Sequence, residues 1–384
     1  MTLIFHILFI TMLFAAEAAK EVRIEGDRKL EPKTIRKMTG LEQDPSLSTT
    51  EVKQRLQNSN LFNEVRTTRD DNVMNIRVSE KGTWFVVPYF SSDPNSKIFG
   101  IAGGISSLFG DNASAIARLQ TGTANREATL LVRDEFFLGS LWILGVSLDY
   151  EDALHRIFRD REIVHRTENE YHGGSFQTGY HLTPHLTLGF NSYIEQHRFE
   201  QPAGPYDKGL QVSHRLLVDW TDFYLEEGLA RGAGMRAYFE QSNPGSDFQF
   251  RKYGLSSQAS VYRAGNFNWI ARPRFEAATP IPRYQLFELG AGRLRSFPMQ
   301  IFRDSSYVAF QNDVLLTSFD VWKIKLRPLV YADWAFVEKS GRTGVGGGFQ
   351  VFFSEVTVPA LQFFGGYGFN PRGFTISAAI GPQI

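Results

Sequence analysis

Lys323-Ile324-Lys325-Leu326-Arg327-Pro328-Leu329-Val330-Tyr331-Ala332-Asp333-Trp334-Ala335-Phe336 repeats with a period of two. Ile324, Leu326, Val330, Ala332, Trp334 and Phe336 fall on one face; Lys323, Lys325, Arg327, Tyr331 and Asp333 fall on the other. Successive side chains of a strand point to opposite sides, so this is a β-strand with one apolar and one polar face. The pattern recurs. Leu186, Leu188, Phe190 and Ile194 alternate with Thr187, Gly189, Asn191 and Glu195. Trp142, Leu144, Val146 and Leu148 alternate with Gly145, Ser147 and Asp149. Leu210, Val212, Leu216, Val218 and Trp220 alternate with Gln211, Ser213, Arg215 and Asp219. A soluble sandwich alternates too. Here the polar face is rich in Arg, Glu, Gln and Gly, as suits a wet lumen. Trp142, Tyr150, Trp220 and Trp334 sit on the apolar face near strand ends, as in an aromatic girdle.

Sixteen such segments are expected, near 83–91, 97–107, 113–122, 126–135, 141–150, 168–180, 184–198, 209–221, 230–241, 250–263, 266–276, 306–317, 322–337, 343–353, 359–369 and 372–382. The number is even, as bacterial transmembrane barrels require. The polar stretches 153–167 and 199–208 are expected as extracellular loops. The connection 277–305, between the eleventh and twelfth segments, is too long for a turn, and loops of that length usually carry function.

The 384-residue chain has no cysteine, which excludes disulfides and thiolate metal sites. Its zero net charge argues against nucleic acid as a partner. Residues 1–18 read as a signal peptide: Leu3 to Ala15 is almost continuously apolar, and Ala16-Glu17-Ala18 is a small-x-small cleavage pattern. No later run of eighteen apolar residues follows. A mature chain in a membrane must therefore enter as a barrel, because lipid leaves open backbone groups unsatisfied.

Residues 20–81 have a β-α-α-β-β pattern. Val22 and Ile24 alternate up to Gly26-Asp27, Pro32 suits a first helical position, and Gly40 suits a helix end. Ser48-x-x-Glu51 is a capping box, and Val52 and Leu56 share one helix face. Val65-Arg66-Thr67 begins a strand, Asp70-Asp71-Asn72 turns, and Met74, Ile76 and Val78 alternate with Asn75, Arg77 and Ser79.

This segment resembles a POTRA domain. The matching residues are Val22 to Asp27, Ile35-Arg36, Leu61-Phe62-Asn63-Glu64-Val65 and Ile76-Arg77-Val78-Ser79-Glu80. The long connection carries Leu289-Gly290-Ala291-Gly292-Arg293-Leu294-Arg295-Ser296-Phe297 and then Phe302-Arg303-Asp304. There the chain is similar to the POTRA–barrel superfamily of outer-membrane assembly factors and two-partner secretion transporters. The sixth extracellular loop of that family joins strands eleven and twelve, folds into the lumen and carries a Val/Leu-Arg-Gly-Phe/Tyr motif. Leu294, Arg295 and Phe297 match. Ser296 departs from the glycine, a change that bears on how tightly the loop tip can turn. The resemblance implies that the motif arginine is held by an inward acidic residue of the thirteenth strand. Alternation independently puts Asp333 there, and Asp313 on the twelfth strand is a second inward carboxylate.

The resemblance implies an outer-membrane factor of a Gram-negative bacterium. Its POTRA domain, in the periplasm, receives unfolded client proteins by adding a strand along the edge Val65, Arg66, Thr67 and Thr68. Its barrel inserts or passes them, opening between the first and last strands, where Gly373, Ser377, Ala378 and Ala379 pack weakly. Partners are the lipid bilayer, clients and accessory lipoproteins. Family barrels often end in an aromatic residue, whereas this sequence ends Ile380-Gly381-Pro382-Gln383-Ile384, so recognition by host machinery is expected to use Phe374, Ile376 and Ile380. No cofactor, metal site or enzymatic motif is read. His181 and His185 flank a turn at Pro184, and His172 and Ser175 are the pair that a lipolytic barrel would need. Arg118, Arg133, Arg236, Arg272, Arg274 and Lys325 would largely pair with Glu135, Glu195, Glu240, Glu276 and Asp313, leaving no ion selectivity. The alternatives are a structural or surface barrel without transport activity, and a lipolytic barrel enzyme.

Overall fold

The structure, a computed structural model, describes residues 21–380 except 28–29, 60, 71–72, 81–83, 94–95, 109–112, 124, 160–161, 201–206, 227–228, 266, 280–284, 291–292, 299, 322–323 and 354–360. The signal-peptide segment 1–18, the chain end 381–384 and Asp71-Asn72 lie outside the described residues.

Strand β1 (Glu21–Asp27) leads into helices α1 (Pro32–Thr39) and α2 (Thr49–Asn58), then strands β2 (Phe62–Asp70) and β3 (Val73–Glu80). Pro32 opens α1, where a missing N–H costs nothing, and Gly40 closes it at φ 76°, donating its N–H to the Lys37 carbonyl. Ser48 and Glu51 cap α2 reciprocally. The sheet runs β1-β3-β2, with β1 parallel and β2 antiparallel to β3. Ile35, Val52, Leu56, Met74 and Ile76 are fully buried in this domain. Both β1 and β2 are edge strands, so Val65 to Thr68 lie on one of two open edges.

All but two short hairpins of the remaining described strands form a closed antiparallel transmembrane barrel. In chain order they are β4 (Trp84–Asp93), β5 (Ser96–Leu108), β6 (Ala113–Gly122), β7 (Asn125–Asp134), β8 (Trp142–Arg159), β9 (Glu162–His181), β10 (Leu186–Phe199) and β11 (Asp207–Thr221). Then come β12 (Ala233–Ser242), β13 (Arg251–Ala264), β14 (Phe267–Ala278), β15 (Ser306–Leu315), β16 (Ile324–Val337), β17 (Ser340–Phe353), β18 (Leu361–Phe369) and β19 (Arg372–Ile380). A short segment, Phe319–Val321, resumes the line of β15 after a break and pairs with the same neighbour, β16. The barrel therefore has sixteen staves, built from seventeen hydrogen-bonded segments.

Alternation sorts the side chains. Leu148, Leu216, Phe336 and the four girdle aromatics Trp142, Tyr150, Trp220 and Trp334 are exposed on the outer wall. The inner face carries ion pairs: Arg118–Glu127, Arg133–Glu135, Arg215–Glu240 and Arg236–Asp219. All but Arg133–Glu135 join adjacent strands, and such opposite charges stabilise the sheet where lipid backs the other face.

One boundary expectation fails. The stretch 153–167 is not a loop: β8 continues to Arg159 and β9 begins at Glu162. With 18 and 20 residues these strands exceed the roughly 9–11 needed to cross a bilayer. Their outer ends project beyond lipid, where neither face must be apolar, so alternation fades while backbone pairing persists.

The N-terminal domain sits at the end of the barrel opposite the long loop. Arg55 of α2 donates to the Pro184 carbonyl at 2.7 Å and contacts the His185 ring at 2.9 Å. Gln43 donates to the His181 carbonyl at 3.3 Å, and Phe136 packs on the domain core. On the barrel side, Phe136 lies in the turn before β8, and Pro184 and His185 lie in the turn that follows His181 at the end of β9.

Candidate functional site

The segment between β14 and β15 is the sixth connection at the end away from the N-terminal domain, and it folds back into the lumen. Its stem is a small hairpin, Phe287–Leu289 against Phe302–Asp304. Glu288 in the stem forms an ion pair with Arg303 at 3.2 Å and meets the His155 ring at 2.7 Å. Burial raises the Glu288 pKa, and the His155 and Arg303 contacts outweigh it, so the group lies below its ordinary value. Gly290, at φ 135°, lets the chain turn where a Cβ would strike the Pro298 carbonyl. The Phe297 N–H then bonds the Leu294 carbonyl at 3.0 Å, closing a tight turn around Arg295 and Ser296.

Leu294 and Phe297 are fully buried, and Phe297 meets Phe302 edge-to-face at 5.2 Å. These apolar contacts hold the tip inside the barrel. Arg295 points to the wall. Its Nη2 and Nε donate to Asp333 at 2.6 and 3.0 Å, its backbone N–H donates to the same carboxylate at 2.9 Å, and its Nη1 donates to Asp313. The guanidinium lies 4.1 Å from the centre of the Tyr331 ring. Asp333 is 1% exposed and Asp313 5%, so neither charge has water as a substitute partner. Burial opposes the charge on Arg295, but the hydrogen bonds to Asp333 and the charge of Asp313 outweigh it, holding the group more firmly protonated than usual. The planar fork suits this two-point grip.

Ser296 reaches further round the wall. Its Oγ donates to the Val345 carbonyl on β17 at 3.3 Å and lies 3.4 Å from the Tyr331 hydroxyl. Its carbonyl accepts from Thr375 on β19 at 3.1 Å. Ser296 does not have a left-handed φ, so the turn does not require glycine at this position. Room for its side chain comes from the wall instead. A Cβ on Gly344 would lie 2.5 Å from the Ser296 Cβ, and one on Gly366 would lie 2.5 Å from the Ser296 Oγ.

The structure thus brings Leu294, Arg295, Ser296, Phe297, Asp313 and Asp333 together. It adds Tyr331, Gly344, Gly366 and Thr375, which the sequence reading did not single out; Tyr331 shares a strand face with Asp333, the one signal that could have found it. The other expected residues lie apart. Val65 to Thr68 are in the N-terminal domain. Among the described residues the first and last barrel strands, β4 and β19, pair through three residue pairs, Ala378–Ser92, Ala379–Ser91 and Ile380–Phe90. Gly373 pairs instead with Gly368, and Ser377 with Phe364.

Comparison with protein-family models finds no match, and comparison with curated proteins finds none either. Solved structures do match. BamA from Haemophilus ducreyi lacking POTRA domains 1–3 superposes with a TM-score of 0.62 at 12% identity, covering 94% of this chain and 84% of that one. CdiB from Escherichia coli gives 0.66 at 11% identity, covering 95% and 76%. CdiB from Acinetobacter baumannii gives 0.61 at 11%, covering 95% and 74%. The barrel has the BamA and CdiB fold.

Other candidate chemistry does not assemble. His172 is exposed on β9 and Ser175 is buried against Ser147 inside the barrel, so they lie on opposite faces. His181 bonds Thr187 while His185 bonds Arg55. Among the described residues no cluster could hold a metal ion.

Proposed function

We propose that this chain works at the outer membrane of a Gram-negative bacterium as a factor that inserts or translocates proteins, with residues 20–81 as a POTRA domain in the periplasm. The inserted loop carries the reading. Arg295 on the sixth outer connection grips Asp333 on the thirteenth barrel strand, which is the contact that the family resemblance requires. The matched solved structures cover at least 94% of the chain, more than the barrel alone, and so reach into the N-terminal domain.

The client enters along β2, whose open edge offers main-chain groups to an extended peptide whatever its sequence. The barrel then passes it through the lumen or admits it between β4 and β19, which among the described residues are joined by three residue pairs. Accessory lipoproteins would bind on the periplasmic side. The test is depletion followed by outer-membrane proteomics. Loss of many barrel proteins identifies an inserter, and loss of one secreted protein identifies a transporter. An unchanged proteome contradicts the reading and returns the chain to a structural barrel.

A further inference from the structure

We propose that the lumen contains a binding site for a single oxyanion, a carboxylate or phosphate group, centred on Arg274.

Register across five strands places Asp219, Arg236, Ser256, Arg274 and Ala309 in one row on the inner wall. Two adjoining cavities open over this row, of about 380 and 510 Å3. Arg236, Ser256, Arg274 and Arg293 line both. Arg293 descends from the long loop, so the loop forms part of the site.

Charge accounting singles out one group. Arg236 pairs with Asp219, Arg293 with Glu276, Arg272 with Asp313, and Arg295 with Asp333. Five arginines here meet four carboxylates. Among the described residues Arg274 makes no hydrogen bond or ion pair. A lone guanidinium beside three others repels its neighbours, and an incoming anion relieves that repulsion. The geometry leaves room for one. Arg236 and Arg274 stand on either side of Ser256, two strand spacings or roughly 10 Å apart at the backbone. The small side chains of Ser256 and Ala309 leave the space beside Arg274 open, and the Ser256 hydroxyl offers another donor. Guanidinium forks grip carboxylate and phosphate oxygens in two-point contact.

The test uses the purified full-length chain in detergent, unfolded by heat, with inorganic phosphate and acetate titrated separately at ionic strength held constant with chloride. The unfolding temperature rises with phosphate, with acetate or with both, and the responding anion identifies the group bound. In Arg274→Gln the concentration needed shifts up at least about tenfold, as losing one charge-assisted hydrogen bond implies. That variant stays as heat-resistant as the parent without anion, because it removes an unpaired charge. Ser256→Asp places a carboxylate between the arginines, so it raises the basal unfolding temperature and abolishes the response. A wild type indifferent to both anions overturns the site. So does a response that Arg274→Gln leaves unchanged, or a Ser256→Asp variant that melts lower and still responds.

Discussion

Arg295 and Asp333 meet through three hydrogen bonds, one of them from the arginine's own backbone N–H. The pair thus fixes both the side chain and the path of the loop that carries it. Truncating one member leaves the other charged and buried, a loss of about 3–5 kcal/mol. Asp333→Ala is expected to abolish heat resistance of the barrel on a gel. Asp313→Ala is expected to do less, because Asp313 receives one Arg295 bond and Asp333 keeps the rest; equal losses would remove the distinction between them.

Gly344 makes room for Ser296. Gly344→Ala should destabilise the barrel by about 1–3 kcal/mol through overpacking. Ser296→Gly removes the Cβ that an alanine at 344 would strike, so the double variant should recover most of the loss. Denaturant unfolding of the three variants measures this, and failure of the second change to rescue the first would place the clash elsewhere.

Glu288 titrates below its ordinary value of 4.5 in the folded loop. A depressed carboxylate contributes stability above its unfolded pKa and loses it as pH falls through the folded value. The stem should therefore loosen in acid and stay docked at neutral pH. Pepsin cleavage within 279–305, followed from pH 5 downward, should increase as pH falls. Glu288→Gln removes the titrating group, so its cleavage should show no such step.

Arg55 ties α2 to the turn carrying Pro184 and His185. Arg55→Ala should speed proteolysis between the N-terminal domain and the barrel while the barrel keeps its heat resistance. Unchanged cleavage would mean that the domain is held by Phe136 and its neighbours rather than by this contact.

The architecture was legible because lipid imposes a strict rule. Outer residues of each stave must be apolar, so Lys323–Phe336 declares both its strand and the inward direction of Asp333. Counting staves then placed the long loop between the eleventh and twelfth. Legibility ends where that rule lapses. Within the stretch 153–167, residues 153–159 and 162–167 belong to paired strands above the lipid that do not need alternation, so the stretch reads as a loop. The accommodation of Ser296 depends on Gly344 and Gly366, whose lack of a side chain gives no signal until the fold sets them opposite the loop tip. Arg274 looked like one more paired lumen charge, because pairing depends on cross-strand register, which composition does not reveal.

The central claim is that the loop is latched inside the barrel by Arg295 and Asp333. A double-mutant cycle of Arg295→Ala and Asp333→Ala on barrel unfolding tests it most directly. The account predicts a coupling of about 3 kcal/mol or more, nearly the whole of a single loss, with the double variant scarcely less stable than either single one. Additive losses, with no coupling, would contradict it.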